Sequence, residues 1–401
     1  MVKRLFFLIF GLLVLLHGHS QTLSRNAKIS LLTCDSGDEL YSIFGHSAIR
    51  VCDTINHIDW VYNYGTFDFG TPNFYWKFAQ GDLNYQLSVY KFKYFLPEYF
   101  SEGRSVIEQE FNLTIEDKQT LFERLNTNAL PENKNYRYDF FFDNCATRIR
   151  DQIIALDQNG KVQFSTVSQG KTYRGLYGEY LKQSPWIEFG IHLLLGMKAD
   201  RPASSFDEMY LPEFLYVQFK QAKISMSGGE VNLIAKEIKL LDFPKTDKSK
   251  SFIFWPCSVF SVLLILVTAI SFYDLKRAKN STIVDTLLFI PAGMAGLLFV
   301  FLWFFTKHGV TGDNLNLLWA NPFYFIVVSM LLFKTTISKV LEYLVLIFIA
   351  LNVFFILFYV MGLQQFPASL ILVVVALTVR LTVIFYNSLR HRRLDKQIEK
   401  V

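Results

Sequence analysis

The sequence predicts an α+β domain outside the membrane, followed by an all-α transmembrane domain. The chain of 401 residues contains 40 Phe and 20 Tyr, and its mean hydropathy is positive, which is typical of a membrane protein. Residues 21–251 mix short alternating patterns with helical ones between polar turns, whereas residues 252–389 are long apolar runs separated by short loops. This change of pattern predicts two domains of different class.

The first 20 residues are typical of a secretory signal peptide. Lys3 and Arg4 precede an apolar run over residues 5–16, and Gly18 and Ser20 provide the small residues of a cleavage site. The run is too short to span a bilayer, so we expect export and cleavage, with an uncleaved signal anchor as the alternative. Export places the domain that follows outside the membrane.

Within the exported domain, alternation of apolar and polar residues predicts strands, and a 3.6-residue period predicts helices. The expected strands cover residues 28–34, 48–52, 58–64, 82–92, 106–113 and 136–142. The expected helices cover residues 115–125, 145–156, 174–197 and 206–223. The last helix carries an aromatic stripe, which belongs either to the core or to an interfacial face that binds acyl chains.

Five apolar runs in the second half predict five transmembrane helices. They cover approximately residues 253–273, 283–305, 317–333, 340–363 and 368–387. Basic residues lie in alternate loops and in the tail over residues 390–401, which the positive-inside rule places in the cytoplasm. The C-terminus is then cytoplasmic and the exported domain lies on the opposite side. Arg380, inside the last run, is expected to snorkel inward or to pair with Glu342.

Cys145 is the candidate nucleophile of the exported domain. It opens an amphipathic helix directly after an apolar stretch, so its thiol lies at the positive end of the helix dipole, where the thiolate is favoured. Asn144 is expected to cap this helix, and the backbone N–H of Cys145 is a natural donor to a developing oxyanion. Arg148, one turn further on, is either a surface charge or a ligand for a phosphate or carboxylate.

The other three cysteines have simpler interpretations. Cys257 lies in an apolar run and is expected to be a buried small hydrophobic residue. Cys34 and Cys52 lie at the ends of predicted strands of an exported domain, so a disulfide between them is one option that the sequence leaves open. If they pair, Cys145 is the one unpaired thiol outside the lipid.

A nucleophilic cysteine needs a base, and His46 is the best candidate by elimination. It lies at the entrance to a strand, whereas His57 lies in a polar turn and His192 in an apolar helical stretch. The alternative for His46 is a structural role at the strand end. Asn63 or Asp68, both polar residues in an aromatic setting, could orient the imidazole as a third residue.

Three stretches of the exported domain resemble the motifs of the Lnb family of Bacteroidota: residues 44–51 (FGHSAIRV), 62–65 (YNYG) and 143–151 (DNCATRIRD). Members of this family carry such a domain followed by five spans, so the resemblance covers nearly the whole chain. It implies an inner-membrane protein with a periplasmic catalytic domain that transfers a fatty acyl chain to the N-terminal amine of a diacylated lipoprotein. In this sequence Cys145 would form the acyl-thioester, and His46 would be its general base.

The order of histidine before cysteine is also similar to permuted papain-like folds, such as the lecithin–retinol acyltransferase-like enzymes. This resemblance implies a permuted papain-like exported domain. The outer loop over residues 308–322 also looks like the membrane part of the Lnb family. Its polar residues His308, Asn314 and Asn316 are expected to bind lipid head groups or to shape the site; the alternative is a plain interfacial loop with a Trp anchor.

The expected partners are diacylated lipoproteins, membrane lipids and an acyl donor that is either a phospholipid or a glyceride. The formal net charge of +5 forms no broad basic patch, so a nucleic acid is not expected. The sequence contains no ligand cluster and no phosphate-binding loop, so no metal or other cofactor is expected. Two other functions stay open: a membrane-anchored cysteine peptidase or amidase acting on cell-wall peptide, and a non-enzymatic sensor or scaffold with an inert Cys145. Five spans count against the peptidase, because one anchor would suffice.

Overall fold

A computed structural model describes residues 21–156, 161–244, 254–333 and 339–398, and the predicted signal peptide lies outside these ranges. The chain separates into two compact units. The first comprises the described residues up to 69, within 84–167 and within 205–244. The second comprises residues 70–83, residues 168–204 and the described residues from 254 onward. Two segments from the exported half of the sequence therefore belong to the same unit as the membrane helices.

The described residues contain ten strands and thirteen α-helices, numbered in chain order. The strands are β1 Lys28–Cys34, β2 His46–Asp53, β3 Ile58–Thr66, β4 Asn84–Lys91, β5 Val106–Phe111, β6 Asn135–Arg137, β7 Val162–Gln163, β8 Lys223–Met226, β9 Gly229–Asn232 and β10 Ile234–Leu241. The helices are α1 Phe74–Ala79, α2 Leu96–Ser101, α3 Ile115–Asn128, α4 Cys145–Ile154, α5 Tyr173–Leu181, α6 Pro185–Leu194, α7 Ser205–Glu208, α8 Pro212–Gln221, α9 Pro256–Arg277, α10 Thr282–Phe304, α11 Tyr324–Leu332, α12 Lys339–Val360 and α13 Leu370–Ile398.

The first unit is built on a seven-stranded antiparallel sheet with the strand order β10-β5-β1-β2-β3-β4-β6. The interior strand β1 is buried on both faces because its side chains alternate between two cores. Ile29 and Leu31 pack with residues of α3, α4 and α8, whereas Leu32 and Cys34 pack on the opposite face with Tyr99 of α2. The helix α4 packs directly on β2, which brings the start of that helix close to the central strands.

The sheet agrees with the predicted strands except near the cysteine and at one edge. The expected strand over residues 136–142 ends at Arg137, because the Asp139 carboxylate accepts the backbone N–H groups of Phe141 and Phe142 at 2.9 and 3.1 Å. These bonds close a tight turn from which α4 starts. The strands β7, β8, β9 and β10 are not predicted from the sequence. The first three form a separate small sheet, and β10 is mostly exposed, carries several charged residues and shows no simple alternation. Such a charged edge strand protects a sheet from pairing with other chains.

The aromatic stripe over residues 206–223 belongs mainly to the core. Tyr210 and Phe219 are fully buried, whereas Phe206 is 41% exposed at the edge of the unit. The prediction that this aromatic stripe belongs to the core is therefore confirmed for the residues of α8 that face the sheet.

The suggested disulfide is absent, and the burial predicted for Cys257 is wrong. In the antiparallel pairing of β1 with β2, Cys34 lies opposite His46 and Cys52 lies opposite Lys28, so the two thiols are at opposite ends of the pair. Six residues of strand separate these positions by about 20 Å, far beyond disulfide reach. Both thiols are unpaired, as is Cys257, which is exposed in the first turn of α9.

Among the residues that the structure describes, four helices of the second unit are long and apolar enough to cross a membrane: α9, α10, α12 and α13. The run expected over residues 317–333 forms a 3₁₀ turn over Leu315–Leu318 and the helix α11. With nine residues, α11 is about 14 Å long, roughly half of a hydrocarbon core. Residues 334–338, next to its end, lie outside the described ranges.

Arg380 neither snorkels nor pairs with Glu342. It is fully buried; its Nε lies 2.7 Å from an oxygen of Asp285 and its Nη2 lies 2.9 Å from an oxygen of Asp274. Glu342 instead pairs with Arg392 at 2.9 Å. The helix α13 is thus bound to α9 and α10 by a buried ion cluster, because these two helices supply the carboxylates that a buried guanidinium requires.

Candidate active site

The thiol of Cys145 is fixed by the way in which its helix starts. Asn144 caps α4: its side-chain oxygen accepts the N–H of Thr147 at 2.9 Å, and its own N–H donates to the Thr147 hydroxyl at 2.8 Å. The Asn144 amide also donates to the carbonyl oxygens of Phe140 and Tyr210, at 2.7 and 2.8 Å. These bonds anchor Cys145 in the first turn, where helix N–H groups point toward the sulfur. Its side chain is almost fully buried.

His46 begins β2 directly after Gly45, and that glycine is required. Gly45 has φ +77°, and a Cβ at this position would lie 2.8 Å from the carbonyl oxygen of Cys34. Only glycine combines the left-handed conformation with this close approach of two chains. The turn thereby brings the imidazole to the end of the sheet where α4 starts.

Asn63 of β3 holds the imidazole in one orientation. The Nε2 atom of His46 lies 2.5 Å from the Asn63 side-chain oxygen, and the Asn63 amide donates to the Tyr90 hydroxyl at 2.8 Å. Because the amide nitrogen is used by Tyr90, the amide oxygen must accept from Nε2–H, which leaves Nδ1 as the nitrogen for Cys145. Cys145, His46 and Asn63 therefore form a cysteine–histidine–asparagine arrangement.

The two reacting groups shift each other's pKa in opposite directions. Burial alone would raise the pKa of the Cys145 thiol, but the charge of His46, its hydrogen bond, and the backbone N–H groups of Ser47 and Ala146 outweigh burial and lower it. Burial alone would lower the pKa of His46, but the Cys145 charge and the hydrogen bonds with Cys145 and Asn63 raise it above its usual value. The pair is thus biased toward thiolate and imidazolium, the form that reacts with electrophiles.

The two charged candidate residues of this domain, Asp68 and Arg148, lie in different environments from each other. Asp68 is exposed beyond the end of β3, and His46 already has Asn63 as its partner. Arg148 donates two bonds to the Asp143 carboxylate, at 2.6 and 2.7 Å, and its guanidinium carbon lies 3.6 Å above the ring centre of Tyr136. The structure therefore brings Asn63 rather than Asp68 to the histidine, and it engages Arg148 within the protein.

The three polar candidates of the outer loop form hydrogen bonds within the second unit: His308, Asn314 and Asn316. The amides of Asn314 and Asn316 both donate to the carbonyl oxygen of Leu193 at the end of α6, at 2.8 and 2.9 Å. The Nε2 atom of His308 lies 3.2 Å from the carbonyl oxygen of Ala79. Both asparagines are buried, so these contacts favour a structural role. Binding of lipid head groups by the three residues stays a prediction.

Three contributions to the site are not identified from the sequence. The backbone N–H groups of Ser47 and Ala146, which stabilise the thiolate, follow His46 and Cys145 directly, so the two motifs contain a signal for them. Tyr90 supports Asn63 from the neighbouring strand β4. No local pattern marks Tyr90, because its role depends on the register of β3 with β4.

The fold and site define a membrane protein whose exported α+β domain carries a buried cysteine–histidine pair. Residues 19–177 match the family model described as the Lnb N-terminal periplasmic domain, and residues 247–392 match the one described as the Lnb transmembrane domain. Together they cover about three quarters of the chain. The chain belongs to the Lnb family, which confirms the resemblance seen in its motifs.

No curated protein and no solved structure matches this chain. The two family matches indicate an inner-membrane protein of lipoprotein processing with a periplasmic N-terminal domain. They also agree with the division into an α+β region and a helical region with long apolar helices.

Proposed function

We propose that this protein is a lipoprotein N-acyltransferase, which moves a fatty acyl chain from a membrane lipid to the N-terminal amine of a diacylated lipoprotein. The observation that carries the proposal is the hydrogen-bonded set of Cys145, His46 and Asn63 inside a domain of the Lnb family. A thiol biased toward its thiolate is the nucleophile that acyl transfer requires.

In the first step the Cys145 sulfur attacks the ester carbonyl carbon of the donor lipid. A carbon–sulfur bond forms, and the carbonyl π electrons move onto oxygen. When this electron pair returns, the bond to the glycerol oxygen breaks, and His46 gives its proton to that oxygen as general acid. The products are a thioester on Cys145 and a lipid that has lost one acyl chain.

In the second step the neutral amine of the lipoprotein attacks the thioester carbonyl carbon. A nitrogen–carbon bond forms, the carbon–sulfur bond breaks, and His46 accepts the proton that nitrogen loses. The leaving sulfur is again paired with protonated His46, so the enzyme returns to its starting state. Water must be kept from the thioester, and the burial of Cys145 supports this.

A row of aromatic rings supports an acyl chain as the transferred group. Tyr138 stacks on Tyr85 with 4.4 Å between ring centres, Tyr85 contacts Phe67 at 5.3 Å, and Phe67 contacts Phe69 at 5.0 Å. The inner ring of the row, Tyr138, lies beside Cys145, and Phe69 at the outer end is largely exposed. We propose that the acyl chain lies along this row, since apolar ring faces bind methylene chains.

The membrane half tethers this site to the bilayer that holds both substrates. We propose five spans with a cytoplasmic C-terminus, a removed signal peptide over residues 1–20, a catalytic domain over residues 21–251, a membrane domain over residues 252–389 and a tail over residues 390–401. Four long apolar helices and the alternation of basic loops support this topology.

Mass spectrometry of lipoprotein N-termini tests the proposal. Cells that lack the protein, or carry Cys145→Ala, should accumulate the diacyl form, whereas the wild type and the control Cys52→Ala should produce the triacyl form. The control is matched because Cys52 lies on β2 at the end remote from His46. A triacyl lipoprotein made by Cys145→Ala would overturn the proposal, and altered cell-wall peptides with unchanged lipoproteins would favour the peptidase.

A further inference from the structure

Tyr136 presents a buried hydroxyl that the described structure leaves without a hydrogen-bond partner. The residue lies on β6, its side chain is 8% exposed, and no donor or acceptor within the described ranges bonds its oxygen. A buried hydroxyl in this state has lost its bonds to water and gained none from the protein, which disfavours folding. A group of this kind calls for an explanation, and an absent ligand is one.

The hydroxyl faces the same small space as Cys145. This space lies above Gly65, where a Cβ would be 3.7 Å from the Cys145 Cβ, 3.8 Å from the Tyr136 oxygen and 3.3 Å from the ring of Tyr138. Gly65 has φ +85° and lies where the pairing of β3 with β4 is irregular. The absence of a side chain at this position keeps the space between nucleophile and hydroxyl open.

The phenol stays protonated at neutral pH and can donate a hydrogen bond, and its ring is held in place. Burial, followed by the charge of Cys145, raises the pKa of Tyr136 well above its usual value. The guanidinium of Arg148 lies 3.6 Å above the ring centre, and Asp143 fixes that guanidinium through two hydrogen bonds. Asp143 and Arg148 are therefore positioning residues for the ring.

We propose that the Tyr136 hydroxyl donates a hydrogen bond to the carbonyl oxygen of the acyl group that reacts at Cys145. This inference rests on the proposed acyl transfer. As the carbon–sulfur bond forms, the carbonyl π electrons move onto oxygen, and that oxygen accepts the bond from Tyr136. The phenol keeps its proton throughout, and the bond weakens when the electron pair returns and the leaving group departs. Tyr136 is then a catalytic residue, since it touches the reacting group.

Tyr136→Phe in the full-length, detergent-solubilised protein removes only the hydroxyl. The probe is p-nitrophenyl octanoate, and acylation of Cys145 is followed by intact-protein mass in a background with Cys52→Ala and Cys257→Ala. We expect acylation to slow by about 10²-fold, the usual effect of removing one oxyanion donor. Alkylation of Cys145 by iodoacetamide, which forms no oxyanion, should stay within about twofold of the wild-type rate. The melting temperature should be equal or higher, because an unsatisfied hydroxyl has been removed.

Tyr64→Phe is the matched control. Tyr64 is also a buried tyrosine of this core, but its hydroxyl accepts a bond from the Asn128 amide at 3.0 Å. Its removal should lower the melting temperature and leave the acylation rate within about twofold. The two variants thus separate a hydroxyl that serves the fold from one that serves the reaction.

The outcomes distinguish the two proposals. A wild-type protein that is never acylated at Cys145 overturns the proposed acyl transfer and this inference with it. Acylation of Tyr136→Phe at the wild-type rate overturns this inference alone. Slower acylation together with slower alkylation and a lower melting temperature assigns Tyr136 a structural role, which also overturns it. In the acyl-enzyme, the thioester carbonyl stretch should rise in frequency in Tyr136→Phe; an unchanged stretch contradicts the hydrogen bond.

Discussion

Each unit contains a buried polar cluster, and the two clusters differ in whether a proton can transfer within them. In the second unit Arg380 is bound by the carboxylates of Asp274 and Asp285, and the charges hold three helices together. In the first unit His46 is held by a neutral amide, and its remaining nitrogen faces a thiol. Charged partners fix a charge, whereas neutral partners orient the imidazole and let its proton move. Burial of polar groups alone therefore does not identify a reactive site.

The largest expected effect concerns the proton acceptor. His46→Ala should reduce N-acylation by about 10³-fold or more, because the thiol loses both its base and the charge that favours the thiolate. The measurement is the triacyl fraction of a purified lipoprotein in a reconstituted reaction. His57→Ala is the control, since His57 is a turn residue between β2 and β3. Equal activity of His46→Ala and the wild type would contradict the role of His46 as the proton acceptor.

Arg380→Met should instead affect folding. Removing one partner of a buried ion cluster leaves carboxylates uncompensated, at a cost of about 3–5 kcal/mol. We expect a lower melting temperature and lower yield, with acylation activity per folded molecule close to that of the wild type. The control is Arg277→Met, because Arg277 is an exposed residue near the end of α9 that stacks on Tyr273. A stable but inactive Arg380→Met would assign the membrane cluster a part in the reaction.

Features that local sequence signals determine could be predicted, whereas features that depend on contacts between residues distant in the chain could not. The bounds of β1 and the start of α4 could be predicted, because alternation and a capping residue are local signals. The position of Cys145 at the start of α4 follows from the same local signals, whereas His46 is a candidate by elimination. The partners of Arg380 were not, since Asp274 follows one predicted run and Asp285 lies near the start of the next, and no local pattern shows that they meet Arg380. Likewise, only the pairing of β4 with β6 brings Tyr136 to its place.

Asn63→Ala tests how much of the activity depends on orientation. Without the amide, the imidazole of His46 can rotate away from Cys145, so acylation should slow by about 10- to 100-fold. Tyr90→Phe removes only the hydroxyl that holds the Asn63 amide and should have a smaller effect in the same direction. Asp68→Ala should leave the rate unchanged if Asn63 is the third residue. A rate loss in Asp68→Ala but not in Asn63→Ala would reverse this assignment.

The smallest expected effect is on the pH dependence of thiol alkylation. The lowered pKa of Cys145 means that its thiolate, and hence its rate with iodoacetamide, persists as pH falls below the usual thiol pKa of about 8.5 and is lost only as pH passes below the lowered value. The raised pKa of His46 keeps the imidazolium, and thus the ion pair, in place to higher pH than usual.

Cys52 provides an internal control in the same alkylation experiment. Burial, together with Asp59, raises the pKa of Cys52, so its alkylation should become fast only above the usual range. Peptide mapping reports both cysteines in one sample. In His46→Ala the profile of Cys145 should move upward toward that of Cys52, because burial then acts without the compensating charge. If the pH profiles of Cys145 and Cys52 coincide in the wild type, the pKa of Cys145 does not differ from that of a structural cysteine, and the prediction is contradicted.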